Sequence, residues 1–462
     1  MMWTKRVFTR FVILFLLVAI AFAINYCARA FPIISGYGAK VMCSGIFLAG
    51  RDEKNVVEEE LGFFPVKYGH YTVNYSDSSV TGTVFGFAKQ KAIYRHGLGA
   101  TLISEITEDS LRKQTFHLAS SPILQQDSLP WPLGNLINDS FPQAIDRGKL
   151  LSSVHKAFIE KNKDLPVRTR AVVVLYDGQL IAEEYANGFN RHSRLQGWSM
   201  TKSVVSALIG ILARQGRLQI DSPAPVREWA DPGDPRHSIT VRDLLQQSSG
   251  LDFLENYAKA SDATVMLYER ADMGGFTAKH KLKQLPGSFY YYSSGNTNVL
   301  SRMIRQITCD SLYYAFPYTQ LFYRIGMQSA IMEPDASGTF VGSSYMYATA
   351  RDWARFGLLY ASDGFWQGHR ILPENWVKET RTPAPAAMMG EYGFQFWLNA
   401  GDKEGNRKYP HAPEDMFCAD GYESQFIFII PSRKMVIVRL GLTQHNNFDA
   451  DHFVEEIVSS VR

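Results

Sequence analysis

The chain has 462 residues, of which 46% are hydrophobic and 20% charged, with a formal net charge of +3. That length permits two domains or one large domain with an extension, and that balance describes a packed globular protein and excludes general disorder. With a charge so near neutral and no long Lys/Arg block in the body, nucleic acid is excluded as an expected partner.

The N-terminus departs from the rest. "MMWTKRVFTR" carries Lys5, Arg6 and Arg10, and the run Phe11 to Ile24 is 14 apolar residues without a charge. Ala28-Arg29-Ala30 follows, with small residues at the positions a signal peptidase reads. A basic start, a short apolar middle and an A-x-A end predict an export signal over 1–30. The run is shorter than the ~20 residues that span a bilayer comfortably, so two outcomes stay open: cleavage, or retention as a tether through residues 7–24. Either way the protein is expected outside the cytoplasm, periplasmic or extracellular.

Residues 31–135 read as a β-rich extension and linker. "VKYGHYTVNY", "VTGTVFGFA" and "KAIYRHGLGATLI" are rich in Val, Thr, Tyr and Phe and broken by Gly and Ser/Asp, the signature of short strands. "SSPILQQDSLPWPLG" then carries three prolines and reads as a linker. The remainder, 136–462, reads as the main domain. A helix is expected within "FPQAIDRGKLLSSVHKAFIEK", then a hairpin around Asp177-Gly178. A second hairpin closes the chain in "SQFIFIIPSRKMVIVRLG", before the helical pattern of "DHFVEEIVSSVR". Two hairpins bracketing a long helical section predict an α+β fold: an antiparallel sheet flanked by helices, with a mostly helical second subdomain.

Without the leader, Cys43, Cys309 and Cys418 remain; three free, buried thiols are expected rather than a disulfide framework. No C-x-x-C, H-E-x-x-H or similar ligand spacing occurs, so neither a metal nor another cofactor is expected.

Three stretches carry candidate chemistry. In "GWSMTKSVVSALIGILARQG", Ser199 and Lys202 stand three residues apart at the start of an apolar helix, on one face. A serine hydroxyl needs a base to become a nucleophile, and a lysine serves only if burial or charge lowers its pKa from ~10.4. A plain helix start is the alternative. Ser153-Val154-His155-Lys156 has the same spacing but lies mid-helix among charges.

In "LPGSFYYYSSGNTNVLSRMIRQI", Tyr292 and Ser294 lead into a helix, and the phenol can relay a proton. Tyr291 also has a serine two residues on, so the phase is open by one; counting from Pro286-Gly287 favours Tyr292. In "FCADGYESQFIF", Gly421 would let a substrate lie against the strand edge, with the N–H of Tyr422 pairing with that of Ser199 as an oxyanion hole; a plain turn glycine is the alternative. Trp198, Tyr392 and Trp397 are candidate pocket walls, with core packing as their alternative.

In this order the stretches resemble the serine β-lactamase and penicillin-binding superfamily, which S-x-x-K helps to mark, and within it the class C and esterase branch. "SITVRDLLQQSSGLDF", "YATARDWARFGLLYASDGFWQGHRILPENWV" and "EYGFQFWL" extend the likeness over roughly 165–445. The nearest likeness is to 6-aminohexanoate-dimer hydrolases and related exported serine hydrolases.

The resemblance implies a β-lactamase/transpeptidase-like fold and a serine hydrolase for a small or oligomeric amide or ester, with no obligate protein partner. It implies Ser199 as nucleophile, Lys202 as base, Tyr292 as proton relay, and Ser294 where other members have asparagine. The usual K-T-G or H-T-G is here Ala419-Asp420-Gly421: the gripping cation is missing and an acid, Asp420, stands there. That speaks against strong β-lactamase or peptidase activity. A β-lactamase or DD-peptidase and a non-catalytic envelope-binding domain remain as alternatives.

Overall fold

A computed structural model describes residues 2–122, 125–137, 140–162, 164–444 and 447–462, with side chains from residue 7 onward. Lys5 and Arg6 of the expected leader, and Ile123 and Leu124 of the expected linker, lie outside the described side chains or residues. The chain forms two compact units: residues 1–95, 100–111 and 254–271, and residues 96–99, 112–253 and 272–462.

The first unit is built on a helix, α1 (Met2–Cys43), and a four-stranded sheet of β1 (Gly69–Asn74), β2 (Ser79–Val84), β3 (Phe87–Arg95) and β4 (Gly99–Leu102). The strands follow the expected β-rich stretches, but residues 31–48 do not. The helix runs unbroken through Ala28-Arg29-Ala30 and on to Cys43, and a wider turn carries it to Leu48. The reason is burial: the second half of α1 packs Ala39, Met42 and Cys43 out of water, and Ser35 Oγ donates to Ala88 O at 2.6 Å. Upstream, Phe11, Phe15 and Phe22 are exposed.

The second unit is a six-stranded antiparallel sheet between two layers of helices. The first helix, α2 (Arg147–Lys156), starts where Asp146 accepts from Lys149 N at 3.0 Å. Strands β5 (Thr169–Tyr176) and β6 (Gln179–Tyr185) form the first hairpin, turning at Asp177 and Gly178, both at positive φ. Such a turn matches the twist of the strands it joins. Next come the helices α3 (Met200–Arg214), α4 (Ser294–Thr308) and α5 (Ala350–Ala361), the longest of the long middle section.

The sheet is completed by β7 (Trp397–Leu398), β8 (Phe417–Gly421), β9 (Gln425–Ile430) and β10 (Met435–Gly441), in the order β7-β8-β9-β10-β5-β6. The chain then forms α6 (Ala450–Val458).

Both faces of the central strands are covered, which is why "AVVVLY" and "FIFII" are apolar runs rather than alternations. Val173, Leu175, Ile427 and Val438 pack with α3 and α5; Val172, Val174, Phe428 and Ile437 pack with α2 and α6. Cys43 and Cys418 are buried as expected, but Cys309 is exposed, at the C-terminal end of α4 rather than in its apolar face.

Candidate active site

The first turn of α3 follows a backbone reversal. Trp198 adopts φ +48°, a left-handed conformation costly for a bulky residue, and Ser199 is the next residue, at the N-cap. Other hydroxyl residues at helix starts here, Thr240, Ser261, Ser293 and Thr349, accept from backbone N–H groups. Ser199 makes no such cap. Its Oγ lies 3.0 Å from Lys202 Nζ instead, which separates it from an ordinary helix-start serine.

Lys202 is 1% exposed. Its Nζ also lies 3.1 Å from Ser294 Oγ and 2.8 Å from the Ser343 carbonyl, so the described hydrogen-bond partners of this buried amine are neutral oxygens. Nζ sits 4.9 Å from the centroid of the Tyr292 ring. Serine, lysine and tyrosine therefore converge, with Lys202 sealed from water and Ser199 and Tyr292 half-buried.

The phase of the tyrosine run follows from a buried amide network. Tyr291 N donates to Gln247 O at 2.8 Å, and Ser293 N and Asn296 Nδ2 donate to Gln247 Oε1 at 3.1 and 2.9 Å. Thr297 Oγ1 donates to Gln395 Oε1 at 2.8 Å, and Ser203 Oγ of α3 donates to the Gln395 carbonyl at 2.7 Å. These ties fix the start of α4 against α3, leaving Tyr291 exposed, Tyr292 beside Lys202, Ser293 as the cap and Ser294 buried. Gln247, Gln395 and Ser343 were not anticipated. Gln247 lies in "LLQQSSGL" and Gln395 in "EYGFQFWL", both of which carry the family resemblance without marking these residues, and nothing in the sequence marks Ser343.

Gly421 closes the third side, for a reason different from the one expected. A Cβ there would stand 2.2 Å from the Gly197 carbonyl oxygen, so the glycine admits a neighbouring stretch of this chain's own backbone. Gly197 is itself confined, since a Cβ on it would meet the Trp353 ring at 2.4 Å. The two close approaches bring the end of β8 against the start of α3. Among the described residues, neither Ser199 N–H nor Tyr422 N–H donates to a protein oxygen. The Tyr422 side chain is exposed and packs its ring edge-on to Trp198 at 5.6 Å.

Asp420 lies on the face of the sheet away from α3. Successive strand residues face opposite ways, and Ala419 packs on the α3 side whereas Cys418, two residues before Asp420, packs on the α2–α6 side. Asp420 Oδ2 pairs with Lys408 Nζ at 3.0 Å. Burial pushes the Asp420 carboxyl up and the Lys408 ammonium pulls it back. A lysine from a separate loop thus neutralises the acid. Lys408 Nζ also lies 4.6 Å from the centroid of Trp397, whose ring stacks on Tyr292 at 5.3 Å and 25°. Tyr392, 1% exposed, packs edge-on to both rings as part of the wall's interior.

The β-lactamase family model matches residues 155–457, and these contain every side chain just described. The chain belongs to the β-lactamase family. It is 25% identical over 295 residues to the 6-aminohexanoate-dimer hydrolase of Paenarthrobacter ureafaciens, covering 59% of this chain and 72% of that protein. Two solved structures share the fold. A penicillin-binding protein homologue from Caulobacter crescentus aligns at 16% identity and TM-score 0.54, over 71% of this chain and 99% of its own. A family VIII carboxylesterase aligns at 14% identity and TM-score 0.54, with the same two coverages. Membership makes this β-lactamase-like chain a serine hydrolase with amidase and esterase relatives.

Proposed function

We propose that the protein hydrolyses a linear amide or ester through an acyl-enzyme on Ser199. The observation carrying this reading is the 3.0 Å contact between Ser199 Oγ, which caps nothing, and Lys202 Nζ, which is buried. Removal from water penalises an ammonium relative to a free amine. A free amine keeps two N–H donors and one lone pair. Ser294 Oγ and the Ser343 carbonyl stand by as acceptors for those donors, and a lone pair turned to Ser199 Oγ would take its proton.

In this reading Ser199 Oγ attacks the carbonyl carbon while its proton passes to Lys202. The oxyanion rests on the N–H groups of Ser199 and Tyr422. The amine or alcohol departs with a proton delivered through Tyr292, and water then releases the acid and restores Ser199. A linear amide is favoured by the likeness to the 6-aminohexanoate-dimer hydrolase. The test is turnover of p-nitrophenyl esters, linear ω-amino acid amides and nitrocefin by wild type and Ser199→Ala. Ester or amide turnover lost in the variant is expected; equal turnover by both proteins refutes the reading.

We propose further that α1 is retained as a membrane tether. Its exposed residues 7–26, apolar but for Thr9, Arg10 and Asn25, make about 30 Å of helix, the depth of a bilayer's hydrocarbon core. The helix continues past the A-x-A site into the packed part of its own unit. Full-length protein that resists alkaline extraction from membranes is expected; a mature N-terminus just beyond Ala30 contradicts it.

A further inference from the structure

One cluster in the second unit plays no part in the hydrolytic reading. His411, on the loop between β7 and β8, meets Asp451 and His452 on α6, and a potential ligand atom from each lies within 4.8 Å of the others. The two imidazole rings are 4.7 Å apart between centroids and tilted by 34°. Both side chains are about half exposed, 48% for His411 and 59% for His452.

The carboxylates around the rings are placed in an ordered way. Asp451 Oδ2 lies 2.6 Å from His411 Nδ1, while its Oδ1 accepts the backbone N–H groups of His411 and Ala412 at 3.0 and 3.2 Å. Asp449 Oδ2 lies 2.9 Å from His452 Nδ1, which fixes that ring's tautomer and leaves Nε2 with its lone pair. A carboxylate behind an imidazole is the partner that orients metal-bound histidines and raises their basicity. Asp449 caps α6 and the other carboxylate anchors the loop, so the cluster is held from two directions.

We propose that His411, His452 and Asp451 bind one divalent transition-metal ion of the Zn²⁺ or Cu²⁺ class. Two imidazole nitrogens select such ions over Mg²⁺ or Ca²⁺, which prefer all-oxygen sites. A Zn–N distance of about 2.0–2.1 Å is reached by turning the two half-exposed imidazoles towards Asp451, which is 16% exposed and held by backbone N–H groups. The ion takes the place of the hydrogen between His411 Nδ1 and Asp451 Oδ2: a protonated ring releases that proton to solvent and keeps its Nε2–H, and a neutral ring binds as the tautomer with its proton on Nε2; His452 binds through Nε2, and water fills the remaining position. The ion would pin to α6 the loop that carries Lys408, whose ammonium lies over Trp397.

The test uses the full chain in detergent, stripped with a chelator and titrated with ZnCl₂ in a calorimeter, with Cu²⁺ electron paramagnetic resonance alongside. One ion per chain at micromolar concentration is expected, with affinity lowered about tenfold or more in both His411→Gln and His452→Gln. Nitrogen hyperfine coupling should fall from two imidazoles to one in each variant. Unchanged metal-free melting shows that the variants fold. Full affinity in either variant, or no saturable binding in wild type, overturns the proposal. No substrate enters the experiment, so its failure leaves the hydrolytic reading untouched.

Discussion

Lys202 Nζ lies 3.0 Å from Ser199 Oγ and 4.9 Å from the centre of the Tyr292 ring, so one buried amine stands beside both the nucleophile candidate and the aromatic ring. A base in this position must exchange a proton with the hydroxyl, and a permanently charged side chain cannot. Lys202→Arg and Lys202→Met should both lose about 10²–10⁴-fold in kcat/KM for whichever substrate is turned over. Steady-state kinetics check this, and rescue by arginine would show that charge alone is required.

The two neighbouring tyrosines separate packing from chemistry. Tyr292→Phe keeps the ring that stacks on Trp397 at 5.3 Å and removes only the hydroxyl, so turnover should fall about 10²-fold or more with little change in melting temperature. Tyr291→Phe, altering an exposed side chain, should leave turnover near wild type. The reverse pattern would shift the site by one residue.

Gly421→Ala places a methyl group 2.2 Å from the Gly197 carbonyl oxygen, a backbone atom that no side-chain rotation moves aside, and 3.1 Å from Gln425 Cβ. A loss of about 1–3 kcal/mol in stability is expected, together with lower kcat, because relief moves the Tyr422 N–H away from Ser199. Thermal unfolding and kinetics on the same sample check both effects. A fully stable, fully active variant would mean that this approach does not shape the site.

Acid should weaken the second unit through Glu183. Arg351, at the start of α5, donates from Nε to Glu183 Oε2 at 2.8 Å and from Nη1 to the Asn135 carbonyl at 2.9 Å. Burial opposes ionisation of Glu183, but the Arg351 fork outweighs it and holds the carboxyl below the usual range. The pair's contribution is therefore complete above the unfolded value of about 4.3 and is lost as pH falls through the lower folded value. Glu183→Gln should cost about 1–3 kcal/mol at pH 7, because the buried Arg351 guanidinium loses its charged acceptor. The gap from wild type should narrow below about pH 4; a constant gap down to acid unfolding would contradict the assignment.

Local patterns carried the strands, the hairpin at Asp177-Gly178 and the spacing of Ser199 to Lys202, since each depends on neighbours within a few positions. "ARDWARFGLLY" was visible as a likeness, yet its work is tertiary: Asp352 pairs with Arg355 at 2.7 Å, and Arg355 Nε donates to Pro132 O at 2.6 Å, holding the proline-rich arm. Long-range partners left no trace in the sequence. Lys408 beside Asp420, Gln247 and Gln395 under the tyrosine loop, and His411 against His452 come together only through the sheet and the helices on it. The helix over 31–43 was misread for the same reason, because burial against its own unit's sheet decides between strand and helix for such a stretch.

The central claim is that the Ser199 hydroxyl is the group that becomes acylated. The direct measurement is peptide-mapping mass spectrometry after incubation with a fluorophosphonate. One adduct per chain is predicted, on the peptide containing Ser199, and none on Ser199→Ala. An adduct on another serine, or the same labelling of the alanine variant, would contradict the account.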